Sequence, residues 1–193
     1  MKKIILTACI LFLAVNAVFA NAGTSEFNFK AAFDFAGTVY AKNSHWGIDE
    51  SESAKFGVTL IAEALFPLGS FVKLGGGLEG NVPRKIDSDY FNTEFAMLPI
   101  YLTLKISPFS ELEGLYLKGN VGYNALVYID KAEKTWGSVY YGIGAGFTTT
   151  SGVIVEFMFK EYYSVADYYI PGVGVLEFDL TYSVFGLAIG YSF

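Results

Sequence analysis

Cysteine is all but missing from this chain. Cys9 is the one example in 193 residues, and His45 is the one histidine. No Cys/His set for a metal can be assembled from them. Beyond residue 20 there is neither a disulfide nor a thiol nucleophile. Basic residues are also scarce, with 13 Lys and Arg against 19 Asp and Glu. Without Lys2 and Lys3 the balance is 11 against 19, a net charge of −8. That excludes a nucleic-acid partner held by phosphate contacts. Past residue 20 no apolar run is long enough for a transmembrane helix. Nor is there a repeat of 20–50 residues or a low-complexity tract. What the chain has in quantity is aromatic side chains, 18% of residues, and 21 glycines.

The opening "MKKIILTACILFLAVNAVFA" joins Lys2 and Lys3 to an uncharged apolar run. It ends at Ala17-Val18-Phe19-Ala20, which fits an A-x-A-like cleavage site. Residues 1–20 are therefore expected to be a cleaved signal peptide, and residues 21–193 one domain. "LTAC" imitates a lipoprotein box, but Cys9 falls near the start of the apolar run, where such a cysteine does not belong.

Beyond it the pattern has period two, the signature of β-strands. In 27–39 the odd positions carry Phe27, Phe29, Ala31, Phe33, Phe35, Gly37 and Val39, while Asn28, Lys30, Asp34 and Thr38 stand between them. The same alternation recurs at 56–66, 72–82, 98–106, 115–127, 139–147 and 153–163. The eighth segment, 176–193, alternates Leu176, Phe178, Leu180 and Tyr182 with Glu177, Asp179 and Thr181. Its large residues then move to the other parity at Phe185, which predicts a β-bulge. Connections at 66–70, 107–114 and 149–152 are turn-like. They interleave with looser, more polar ones at 41–53, 83–89, 129–135 and 165–175. The chain is thus expected to be all-β: an eight-stranded antiparallel up-and-down barrel with both chain ends on one side.

Alternation alone does not say which face looks outward. The mostly apolar face is nearly free of charge for about 10 residues per strand, the length a tilted membrane-spanning strand needs. The other face is small and glycine-rich, which suits a narrow interior, and aromatics crowd toward strand ends. These features predict a transmembrane barrel with its apolar face in lipid; a soluble lipocalin-like carrier would be apolar inside. Leu60, Leu102, Ile143, Phe157 and Ile189 are expected to face lipid near mid-membrane.

With its final "AIGYSF", the chain resembles the small outer-membrane β-barrel proteins of Gram-negative bacteria: the OmpA transmembrane domain, OmpX and opacity or porin-family proteins. The resemblance implies an integral outer-membrane location and a monomer. It also implies that Tyr191 and Phe193 form the aromatic-ended signal read by the barrel-assembly machinery.

Facing the polar side inward puts Lys30, Asp34, Glu63, Lys73, Glu79, Lys105, Lys118, Glu156 and Lys160 in the lumen, with Glu177 and Asp179 at its outer rim. Buried charges must pair, so a charge-plugged lumen is expected, and a narrow small-solute channel is the alternative. "GGGLEG" at 75–80 matches G-x-G-x-x-G, but no helix follows it, and its glycines are expected to relieve crowding against residues such as Tyr101. His45, Asp87 and Ser88 formally match the lipid A palmitoyltransferases, another small outer-membrane barrel family. The missing N-terminal amphipathic helix and the charged lumen speak against that activity. No catalytic residue, cofactor or metal site is assigned. Contacts with an extracellular ligand are expected from loop aromatics, with Trp46, Tyr90, Tyr168 and Tyr169 as candidates.

Overall fold

A computed structural model describes residues 25–87, 93–108 and 114–193. The expected signal segment, Ser88 and Tyr90 lie outside the described residues. There is no helix among the described residues, only strands: β1 (Glu26–Asn43), β2 (Ile48–Ala54), β3 (Gly57–Pro67), β4 (Val72–Asn81), β5 (Arg84–Asp87), β6 (Glu94–Ile106), β7 (Leu115–Ile129), β8 (Lys134–Thr148), β9 (Val153–Ile170) and β10 (Gly174–Ser192). Every pairing is antiparallel, and β10 closes on β1 from Asn28↔Ser192 to Lys42↔Asp179. The ring has eight traverses, as the alternation predicts. Ten strands arise because two traverses are interrupted, one at Lys55-Phe56 and one at Val82-Pro83. Pro83 has no N–H to donate to a ladder. Backbone bonds from Lys55 N to Lys85 O (3.0 Å) and from Val82 N to Val58 O (2.9 Å) carry the wall across these breaks.

The facing follows the sequence. Leu60, Leu102 and Ile143 point outward and are 61, 62 and 66% exposed, with Phe157 and Ile189 on the same surface. Glu63, Lys118 and Glu156 point inward and are buried.

Three expectations are corrected. First, the slip in phase belongs to β1 and not to the last strand. The register between β1 and β10 shifts between Phe35 and Thr38, and Ala36 sits at φ 51°. One extra residue in β1 turns Val39 inward and Thr38 and Tyr40 outward. β10 pairs with β9 without a break from Gly174 to Tyr191. Its large residues change parity because its surroundings change. Below Val184 the inside holds Gly186 and Ala188 while the outside holds Phe185, Leu187 and Ile189. Above it Phe178, Leu180 and Tyr182 turn inward. Second, Glu177 and Asp179 therefore face outward and are not part of the lumen. Third, the looser connections are mostly strand. The segments expected as loops at 41–53 and 165–175 are hairpins that turn at 44–47 and 171–173. They carry the barrel upward into an outer extension.

Inward glycines make room for large inward side chains. A Cβ on Gly77 would lie 2.7 Å from Tyr101 Cζ and 2.8 Å from Glu63 Cγ, and one on Gly57 would lie 2.4 Å from Arg84 Cζ. We predict that Gly77→Val costs about 1–3 kcal/mol, the range for overpacking. The measurement is the urea unfolding midpoint of the refolded barrel; an unchanged midpoint would show that Tyr101 relaxes freely.

Candidate functional site

The lumen is layered along its axis. At its centre Lys30 and Lys118 alternate with Glu63 and Glu156. Lys30 Nζ lies 2.7 Å from Glu63 Oε2 and 2.9 Å from Glu156 Oε1; Lys118 Nζ lies 3.0 Å from Glu156 Oε1 and also pairs with Glu63. The hydroxyls of Tyr101 and Tyr116 donate to Glu63 (2.8 Å) and Glu156 (2.9 Å). Each charge thus meets two opposite charges, the arrangement that offsets the loss of water around buried ions. The void beside this quartet is only about 10 Å³.

Toward the chain termini, Glu26 binds Lys105 Nζ at 3.0 Å and pairs with Lys73, and Lys105 Nζ sits 4.0 Å over the Tyr116 ring. Toward the other end, Asp34 takes Lys160 Nζ at 3.0 Å, Arg84 Nη2 at 2.8 Å and the Thr59 hydroxyl at 2.5 Å. Glu79 is 3.7 Å from Lys160 and accepts from the Tyr162 hydroxyl. Arg84 Nη1 donates to the Tyr182 hydroxyl at 2.6 Å.

Eight of the nine predicted lumen charges are buried inside the ring, and Lys73 stands at its terminal end with its side chain 39% exposed. Two partners escaped the sequence reading. Glu26 was legible, since it continues the parity of Asn28 and Lys30. Arg84 was not, because the break at Pro83 shifts the phase that places Glu79 and Asn81 inward.

Above the ions a ladder of rings crosses the barrel: Tyr101 to Tyr140 at 5.3 Å, Tyr140 to Tyr162 at 5.0 Å, Tyr162 to Tyr182 at 5.4 Å and Tyr182 to Phe95 at 4.9 Å. These spacings are those of favourable aromatic pairs. Over the ladder opens a cup of about 300 Å³. Val39, Ile86, Met97, Phe178 and Leu180 line it, with Glu50 and Glu52 on one wall. Tyr168, expected as a loop contact, is instead a strand residue in the cup wall. Burial, and then the nearby Asp130, pushes its phenol up from the usual value. Trp46 is exposed in the turn at 44–47 against His45, and Tyr169 is exposed near the end of β9. Tyr191 and Phe193 pack edge to face, and Phe193 exchanges backbone hydrogen bonds with Phe27. Among the described residues no group of His, Cys, Asp and Glu could hold a metal ion.

No family model matches the sequence, and no curated protein matches it. Among solved structures, Ail, the attachment invasion locus protein of Yersinia pestis, aligns over 88% of this chain and 99% of its own. The TM-score is 0.51 at 12% identity. The fold is that of a small outer-membrane barrel. Also similar are Neisserial surface protein A (TM-score 0.45, 16% identity, 86% of this chain and 96% of its own) and the Escherichia coli outer membrane protease OmpT (0.46, 10%, 88% and 97%). The wall of β10 has two zones: small inside and apolar outside below Val184, apolar inside and charged outside above it.

Proposed function

We propose that the protein is an integral outer-membrane barrel whose lumen is closed by paired charges, with a structural or surface-interaction role and no catalytic step. The observation that supports this reading is the central quartet, in which Lys30, Glu63, Lys118 and Glu156 pair across the interior beside a void of only about 10 Å³. Eight strands enclose an interior that side chains can fill. The five lysines assigned to the lumen all have a carboxylate within 4.0 Å. The apolar outer belt, with Leu60, Leu102 and Ile143 among its most exposed residues, supports lipid as its solvent.

In this reading residues 1–20 export the chain and are cleaved, and Tyr191 and Phe193 are read by the barrel-assembly machinery. The barrel then works as a monomer. Trp46 and Tyr169, exposed at outer hairpins, are contact aromatics for an extracellular partner.

The test is a planar-bilayer recording on the refolded protein. We predict no stable conductance steps. Steps in the wild type that change size in Lys118→Ala would refute the seal and make the barrel a channel.

A further inference from the structure

We propose that the outer cup is a binding site for a small amphiphile made of an apolar body and a cationic amine. The cavity holds about 300 Å³. An engineered apolar cavity of ~150 Å³ takes up benzene, so the cup has room for a ring and a short chain. All of its lining residues but Thr93 lie on strands, so little ordering opposes binding. Phe95 and Tyr182 meet edge to face at 4.9 Å, and Tyr168 and Phe178 do so at 5.7 Å, giving the cavity two fixed aromatic corners. The floor is closed, because the Tyr182 hydroxyl is held by Arg84 and the ring ladder lies beneath it. A ligand therefore enters from the outer end and stops there.

The charge of the head group follows from the wall. Glu50 and Glu52 are two apart on β2, so both project to the same side, and both line the cavity. Around the mouth the outer hairpins add Asp49, Asp130, Glu133, Asp167, Glu177 and Asp179 against Lys42, Lys131 and Lys134. An apolar cup with an acidic wall and an acidic surround favours a cation, and carboxylate-bearing molecules of the same shape are repelled. The buried body supplies affinity and the carboxylates supply the choice of head group.

The experiment uses the refolded protein in lipid nanodiscs and three probes of one shape: 4-phenylbutylamine, 4-phenylbutan-1-ol and 4-phenylbutyrate. Binding is read by titration calorimetry. The amine is expected to bind at least tenfold more tightly than the acid, with the alcohol between them. The paired change Glu50→Gln and Glu52→Gln should bring the amine to the alcohol's level and leave the alcohol unchanged. Ala41→Trp fills the cup and should abolish binding of all three. Ile86→Trp does the same from another strand should the first variant fail to fold, judged by heat-dependent mobility on gels. No binding by any probe, an amine no tighter than the acid, or binding that survives both tryptophan variants through partition into lipid, each overturns the proposal.

Discussion

Glu63→Ala is expected to destabilise the barrel by about 3–5 kcal/mol, the range for removing one member of a buried ion pair. Glu63 is 1% exposed and lies between two ammonium groups, Lys30 and Lys118, while accepting a third bond from Tyr101. Without it the quartet carries an excess positive charge with no water to solvate it, and the Tyr101 hydroxyl loses its acceptor. The cost is a property of the broken set and not of the ions as such. Replacing all four members by apolar residues of similar volume should therefore recover most of the loss or exceed the wild type. Urea unfolding of the refolded barrel measures both. A single Glu63→Ala loss below about 1 kcal/mol, the scale of a solvated surface pair, would show that the lumen is open to water.

On the proposed outer-membrane reading, Leu102→Arg is expected to cost about 2–4 kcal/mol, because an arginine there would sit on the lipid face and must leave water. Leu102 is 62% exposed on β6, between Ile100 and Leu104 on the same outward parity. The control is Thr181→Arg, outward on β10 in the stretch that carries Glu177 and Asp179. That surface already holds charge, so the control should stay within about 0.5 kcal/mol. Comparing the two variants in lipid vesicles reads out where the belt ends. Equal effects would mean that the two surfaces share one solvent, and the division of the wall into a lower belt and an outer extension would fall.

Much of this was legible from alternation. A residue on a regular strand has its side fixed by parity, so Lys30, Glu63, Lys118 and Glu156 could be assigned inward and Leu60, Leu102 and Ile143 outward from the chain alone. Parity fails at the first irregularity. The extra residue at Ala36 reverses Val39, and the break at Pro83 brings Arg84 inside, yet neither leaves a mark in hydropathy. Polar composition misled in the other direction. The outer hairpins read as loops because they are charged, but they are paired strands whose charges stand mostly on the outward face, with Glu50 and Glu52 the inward exceptions. The parity change at Phe185 predicts a bulge, whereas the strand is regular and its inward side passes from Gly186 and Ala188 to Tyr182, Leu180 and Phe178.

The sequence by itself determined the number of traverses, their antiparallel order and the face that each residue of the lower barrel presents, because these depend on local periodicity and turn chemistry. Only the tertiary structure decided which charges meet, that Glu26 and Arg84 complete the set, and that the upper interior becomes an apolar cup with two carboxylates on its wall. Those depend on register between strands far apart in the chain. Lys30 and Glu156 stand 126 residues apart, and a one-residue slip in either wall would turn one of them out of the lumen.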